Sequence, residues 1–461
     1  MASMSPDRPD YPRLTLAGWG RTNPTGAWLA RVHCPDDLVR ALTHAPERGV
    51  IARGLGRSYG DASQNAGGLV IDSTGAAQFL LDPDTGVVTA SAGASIQAIL
   101  EGIVPYGFFV PVTPGTRFVT VGGAIASDIH GKNHHRAGSW CDHVLSFRLA
   151  LPDGSVLDVD RDRHPKVFWA TAGGMGLTGV ITEATFRCYP IETSRLLVDT
   201  DRTRDLDHAI ELMAGGDDAY DYSVAWIDLL ARGRFMGRSV LTRGRFARRE
   251  ELPPALRTHP LAYEGRQLAN VPPVFPSGLL NPWSVRLFNE FWYRKAPACR
   301  RGEIQDIPTF FHPLDMIGNW NLIYGPRGFI QWQCVVPEDA VETLRDIVRQ
   351  LSDAGCTSFL AVLKRFGPGN EGHLSFPIAG WTLSLDIPVG DPRLATLLDR
   401  LDEQVAAEGG RIYLAKDSRL RRELLEVMYP RLDEWRRIRD TLDPNRLLRS
   451  DLGRRLGLCP D

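Results

Sequence analysis

The chain has 461 residues, with 53 Lys+Arg against 55 Asp+Glu, 43% hydrophobic and 23% charged residues, 45 Gly and 32 Pro; this is an ordinary globular composition, long enough for two or three domains with a ligand clamped between them. A formal net charge of -2 lacks the basic excess that phosphate neutralisation requires, which excludes generic nucleic-acid binding. The 7 cysteines are scattered and form no CxxC pair, which excludes a disulfide framework or zinc knuckle and leaves dispersed free thiols.

The opening segment MASMSPDRPDYPRLTLAGWG lacks the basic and apolar regions of a signal peptide. No apolar run approaches the ~18 residues that cross a bilayer, so any membrane contact is expected to be peripheral. From Ile51 to Phe186 short β-branched runs alternate with glycines. They include GGLVID, GVVTASAG and FRLALPDGSVLDVD, the last a hairpin turning at Asp153 and Gly154. One helix is predicted to open near Asp36 with Leu38, Val39 and Leu42 on its inner face. Another opens at Ser95 with Ile96, Ile99, Leu100 and Ile103. After about Thr193 come strands at RLLVD and YSVAWIDLL, then the Pro- and aromatic-rich stretch NVPPVFPSGLLNPWS, Asn270 to Ser284, which reads as a long mobile loop. Two strand-plus-helix units follow: GFIQWQCVV with Pro337 to Ala354, then WTLSLDIPV with a helix striped by Leu394, Leu397, Leu398, Leu401 and Val405 that stops at Gly409 and Gly410. The expected fold is α+β, with a separate domain of antiparallel sheet and helices in the second half. No short-period repeat interrupts it.

Two glycine segments carry the chemistry. In RGLGRSYGD, Arg53 to Asp61, Gly54, Gly56 and Gly60 permit the close approach and positive φ that turn successive N–H groups toward an anion, and Arg53 and Arg57 add charge. PGTRFVTVGGAIASDIHG supplies Gly115, Gly122, Gly123 and His130. Either segment alone is ordinary turn chemistry, whereas both together favour a diphosphate cradle. Gly174, Gly176 and Gly179 match GxGxxG, but the following VITEATFRCY alternates and is β-branched, so it reads as a strand. A dinucleotide fingerprint must open a helix, and that reading is rejected.

With GGMGLTGVIT, these motifs make the chain similar to the vanillyl-alcohol oxidase type of flavoenzyme. HPLDMIGNW, LSFPIAGW, YLAKDSR and YPRLDEWR extend the likeness from about Leu16 to Leu456, toward the branch that acts on polyprenylphosphoryl ribose. The resemblance implies an FAD domain split between residues 1–193 and 411–461, enclosing a substrate domain at 194–410. FAD diphosphate would lie on Arg53, Gly54, Leu55, Gly56, Arg57, Ser58, Tyr59, Gly60 and Asp61. The flavin would be flanked by Gly115, Thr120, Val121, Gly122, Gly123, His130, Ile181 and Tyr413. Many relatives bind flavin covalently through a histidine at the position of Arg57. Arginine cannot form that bond, so non-covalent FAD is expected.

Oxidising a secondary alcohol needs a hydride acceptor and a group that takes or stabilises the hydroxyl proton. Lys416 matches the family position facing the flavin, though on sequence alone a lysine beside Asp417 is more commonly an exposed surface ion pair. His130 ends a glycine segment, though a lone histidine is commonly just hydrogen-bonded in place. His130, His134 and His135 have neither HExxH spacing nor an adjacent carboxylate, so no metal is expected. Lys132 and Lys364 suit a substrate phosphate, and Gln331 and Gln333 share one strand face from which to bond ribose hydroxyls. The resemblance also places Tyr59, Trp226, Phe311, Thr382 and Ser384 around the pocket. Ser384 stands where the best-known relatives carry cysteine, and Phe311 where they carry tyrosine. Val274, Phe275, Leu279, Leu280 and Trp283 offer either an apolar path for a polyprenyl tail or a loop folded over the core.

The implied activity is FAD-dependent oxidation of the ribose 2′-hydroxyl of decaprenylphosphoryl-β-D-ribose to the 2′-keto intermediate. This is the first step of epimerisation to decaprenylphosphoryl-arabinose for cell-wall arabinan, with a separate NADH-dependent decaprenylphosphoryl-2-keto-ribose reductase as pathway partner. Oxidation of a soluble alditol, sugar or aldonolactone is the alternative, and a non-catalytic flavin-binding scaffold subunit is the second. The resemblance implies the periplasmic face of the envelope, the N-terminal composition the cytoplasm.

Overall fold

The computed structural model describes residues 11–460; the signal-peptide expectation falls largely on residues 1–10, outside that range. Three sheets organise the chain. The first has four strands in the order Arg13–Leu16, Thr25–Arg31, Leu69–Asp72, Val50–Arg53, with the last three mutually parallel. Helix Pro35–Thr43 buries Leu38, Ala41 and Leu42. Val39, expected on that face, is 47% exposed: one residue past Leu38 is a 100° rotation, off the stripe that Ala41 completes.

The second sheet is antiparallel, in the order Phe79–Asp82, Val87–Ser91, Val180–Arg187, Val144–Ala150, Val156–Asp160. The last two strands are the expected hairpin. Ser95 Oγ accepts from Ala98 N at 3.1 Å and starts helix Ile96–Ile103, whose Ile96, Ile99, Leu100 and Ile103 are all buried. The GxGxxG segment opens no helix, because Val180–Arg187 is the central strand. A Cβ on Gly179 would meet the Leu149 side chain at 2.5 Å, so the pairing strand requires glycine there.

The third sheet has eight antiparallel strands: Cys299–Asp306, Arg195–Thr203, Ser239–Phe246, Tyr222–Ile227, Ala361–Phe366, Gly380–Pro388, Phe329–Pro337 and Arg411–Ile412. Helices Val341–Asp353 and Arg393–Ala407 bury Leu344, Ile347, Val348, Leu351, Leu398, Leu401 and Val405 in the same core cluster as Ala225, Leu241, Cys334, Leu363, Leu383 and Leu385 of the strands. Alternation sends the intervening residues, Val224, Trp226, Gln331, Gln333, Lys364 and Ser384, to the other face, where they line a cavity. Beyond Ile412 the chain runs back to the first sheet. Leu448 bridges Val50, and Asp451 Oδ1 accepts from Ala66 N at 2.9 Å.

The stretch expected as one loop from Asn270 to Ser284 is partly helical. Asn281 Oδ1 accepts from Trp283 N (3.0 Å) and Ser284 N (3.2 Å) and starts helix Pro282–Lys295. Asn-Pro is an N-cap followed by a first-turn proline, a start signal masked by the prolines before it. Other elements lie outside the expected set. Strand Cys299–Asp306 is a polar sheet edge with no apolar alternation to read, whereas helix Leu206–Gly216 does carry a signal, Asp205 as N-cap before the buried stripe Leu206, Ala209, Ile210 and Met213. All seven cysteines are free, and only Cys34 and Cys299 are exposed.

Candidate active site

A cavity of about 450 Å³ lies between the glycine segments of the two smaller sheets and the open face of the eight-stranded sheet. The first segment is held by its own residues. Arg53 donates to Ala17 O (2.7 Å) and to Ser63 O and Oγ (3.2 Å each). Its guanidinium, expected to add charge to the cradle, is therefore spent in part on shaping the loop. Tyr59 N donates to Ala415 O at 3.1 Å, and a Cβ on Gly54 would meet Thr120 Oγ1 at 2.2 Å. This loop is thus pressed against both the second glycine segment and the segment carrying Lys416. Thr120 Oγ1 in turn accepts from Gly123 N at 3.2 Å and caps helix Val121–Ala126.

Arg53, Gly54, Leu55, Gly56, Arg57, Ser58, Tyr59, Gly115, Thr120, Gly122, Gly123, His130, Ile181 and Tyr413 all line the cavity. Gly60, Asp61, Val121 and Thr382 do not. Gly60 packs on Asp417 O, where a Cβ would sit 1.9 Å away. Asp61 is committed to Arg455 at 2.8 and 3.0 Å, Val121 lies in the hydrophobic core, and Thr382 stands behind Gln333. Of the expected substrate group, Lys132, Trp226, Phe311, Gln331, Gln333, Lys364, Ser384 and Lys416 reach the cavity. Sequence reasoning missed Trp19, Met175, Trp292 and Trp320 on its wall.

The residues present fit FAD. The Arg57 guanidinium lies 3.8 Å from the Trp19 ring centroid with its buried Nε unpartnered, leaving a donor and a charge for phosphate. Nothing stands within 4 Å of where a Cβ on Gly115 would be, which leaves room for a flat ring against backbone. His130 is buried against Phe366, Phe376 and Tyr413. Burial, then the Lys364, His134 and Lys416 charges, hold its pKa well below the ordinary value, so it is neutral. Gln333 Nε2 lies 2.9 Å from His130 Nε2 and donates to Thr382 Oγ1 at 3.2 Å. With both amide hydrogens used, the imidazole proton is assigned to Nδ1, which has no partner among the described residues. His130 therefore presents a donor, and its acceptor nitrogen is occupied.

Three lysines face the cavity, and burial lowers each. Lys364 falls to about 8, Lys132 to about 7 with Lys364 adding repulsion, and Lys416 is also lowered, with Asp386 opposing the effect. Lys132 Nζ donates to Phe310 O. Lys416 Nζ stands 3.9 Å from the Tyr59 ring centroid. Asp386, two residues beyond Ser384 on the same strand face, is fully buried, and burial raises its pKa. It accepts from Gln331 Nε2 at 2.5 Å and keeps Oδ2 unpartnered. Gln331 Oε1 is also buried without a partner, leaving an acceptor at the cavity wall. Among the described residues no group of His, Cys, Asp and Glu is arranged to hold a metal ion.

Residues 27–160 match the FAD binding domain family. Over 457 residues the chain is 46% identical to the decaprenylphosphoryl-β-D-ribose oxidase of Mycolicibacterium smegmatis, covering 97% of this chain and 99% of that protein. An uncharacterized Streptomyces coelicolor protein is 43% identical over 79% of this chain and its own full length. Among solved structures, the Physcomitrella patens BBE-like 1 protein superposes with a TM-score of 0.66 at 15% identity, covering 92% of this chain and 90% of its own; that likeness concerns the fold.

Proposed function

We propose, from the premise that this chain belongs to the decaprenylphosphoryl-β-D-ribose oxidase family and is an FAD-dependent oxidoreductase, that it converts the ribose 2′-hydroxyl of decaprenylphosphoryl-β-D-ribose to a ketone. The observation that carries this reading is the 46% identity across 97% of the chain, joined to a cavity that couples glycine loops to a set of buried lysines and glutamines. FAD, held non-covalently, supplies the hydride acceptor. Arg57 and the backbone of Gly54 to Ser58 would hold its diphosphate, with Gly115, Gly122, Gly123 and Tyr413 around its ring.

In this reading the substrate hydroxyl gives its proton to Lys416 Nζ, whose pKa burial has brought down. The resulting ammonium faces the Tyr59 ring and stabilises negative charge developing nearby. His130 Nδ1–H donates and does not accept. Gln331 Oε1 accepts from a ribose hydroxyl, and Lys364 and Lys132 neutralise the phosphate. Residues 1–193 with 411–461 form the cofactor domain around a substrate domain at 194–410, a division supported by the Leu448 bridge to Val50. The ketone then passes to a separate NADH-dependent reductase that completes epimerisation to the arabinose donor.

The test is mass analysis of the product after incubating FAD-loaded protein and an artificial electron acceptor with a prenylphosphoryl-β-D-ribose. Loss of two hydrogens from the ribose is expected. Oxidation of xylitol or an aldonolactone in its place would establish the soluble-substrate alternative.

A further inference from the structure

Helix Pro282–Lys295 turns its polar side inward. Asn289 is buried and donates to Asp228 Oδ1 at 2.7 Å, Glu290 pairs with Arg238 at 2.6 Å, and Tyr293 Oη donates to Thr203 O at 3.0 Å. The outward stripe is apolar: Trp283, Leu287 and Phe291, four residues apart, are 80%, 74% and 61% exposed. Val274 and Leu279, in the segment leading to the helix, are exposed as well. A globular helix normally shows the reverse arrangement, and an exposed apolar stripe marks a surface that meets something.

The charges around the stripe indicate what that is. Of the five basic side chains in residues 282–301, three are paired with acids: Arg294 with Glu290, Arg300 with Glu303 at 2.6 Å and Arg301 with Asp201 at 2.7 Å. Arg286 and Lys295 enter no ion pair among the described residues; the Lys295 ammonium lies 5.8 and 6.0 Å from the Trp292 and Phe291 ring centroids. Tryptophan and phenylalanine on one face with unpaired cations at its border are the features of a helix lying in a bilayer interface. Trp292, the residue after Phe291, is 41% exposed and also lines the cavity, so the stripe borders the site. Among the described residues no helix is long and apolar enough to cross a membrane.

We propose that the Trp283–Leu287–Phe291 face docks on an anionic lipid surface, setting the cavity entrance at Trp292 where a polyprenyl-phosphoryl substrate resides. The significance for substrate entry rests on the proposed function; the docking itself does not. Flotation of the FAD-loaded protein with phosphatidylcholine vesicles, with and without phosphatidylglycerol, tests it against the double variant Leu287→Glu/Phe291→Glu. The expected result is flotation of the wild type with the anionic vesicles and affinity lowered roughly tenfold or more in the variant. The variant should keep its flavin spectrum and its reduction by a short-chain substrate without vesicles. Wild type remaining unbound, or a variant that floats equally well, overturns the proposal. So does a solution dimer of the wild type that the same substitutions dissociate, which would assign the face to a second copy of this chain. Reduction by the short-chain substrate is read separately, so failure of docking and failure of the proposed chemistry are distinguishable.

Discussion

Gln331 and Asp386 face each other across neighbouring strands, in direct register, with Gln331 Nε2 donating to Asp386 Oδ1 at 2.5 Å. Gln331 and Tyr59 line the same cavity, and Lys416 Nζ stands 3.9 Å from the Tyr59 ring centroid. Asp386 opposes the lowering of the Lys416 pKa by burial. Its carboxylate stabilises the ammonium, so removing it lowers the Lys416 pKa further. If neutral Lys416 accepts the hydroxyl proton, the acid limb of the kcat/KM profile for Asp386→Asn moves to lower pH, by ~1 unit. Stopped-flow flavin reduction across pH checks this; a profile unchanged in position would remove Asp386 from control of Lys416.

Arg455 ties the first glycine loop to the lysine segment, bonding Asp61 at 2.8 and 3.0 Å and Asp417 at 2.8 Å. Arg455→Ala leaves two largely buried carboxylates without their cation. The expected cost is ~3 kcal/mol of stability, read by urea denaturation, together with weaker FAD retention. A variant within ~0.5 kcal/mol of wild type would show that the bridge is dispensable.

Ser384 is half-buried on the cavity wall, and none of the seven native cysteines lines that cavity. Ser384→Cys should gain one maleimide adduct at residue 384, and a bound substrate analogue should slow that labelling. Peptide mass mapping checks both. Labelling confined to Cys34 and Cys299, the two exposed thiols, would contradict this placement.

Arg57 lines the cavity beside Trp19 with its Nε unpartnered. Acid precipitation of the loaded protein should therefore release all flavin into the supernatant. Colour retained in the washed pellet would show a covalent link through some other residue.

Parts of this site were legible because local chemistry dictated them. Ser95 before an apolar stripe gave a capped helix, and the spacing of Gln331 and Gln333 put both on one face. Asp386 continues the polar face of an alternating strand, two residues beyond Ser384 and four beyond Thr382, which puts it on the cavity side. Arg53 and Arg57 look alike in sequence, and only tertiary contacts reveal that one shapes the loop while the other stays available. Trp292 was hidden because prolines obscured the start of its helix. That helix buries Asn289 and exposes Leu287, the opposite of the pattern that periodicity arguments seek.

Anaerobic titration of the FAD-loaded protein with a short-chain prenylphosphoryl-β-D-ribose, followed by visible absorbance, tests whether the prenylphosphoryl ribose itself is oxidised at this site. Stoichiometric bleaching of the oxidised flavin bands is expected, with reduction slowed ~100-fold or more in Lys416→Met while flavin stays bound. An oxidised spectrum that persists at saturating substrate would contradict that oxidation.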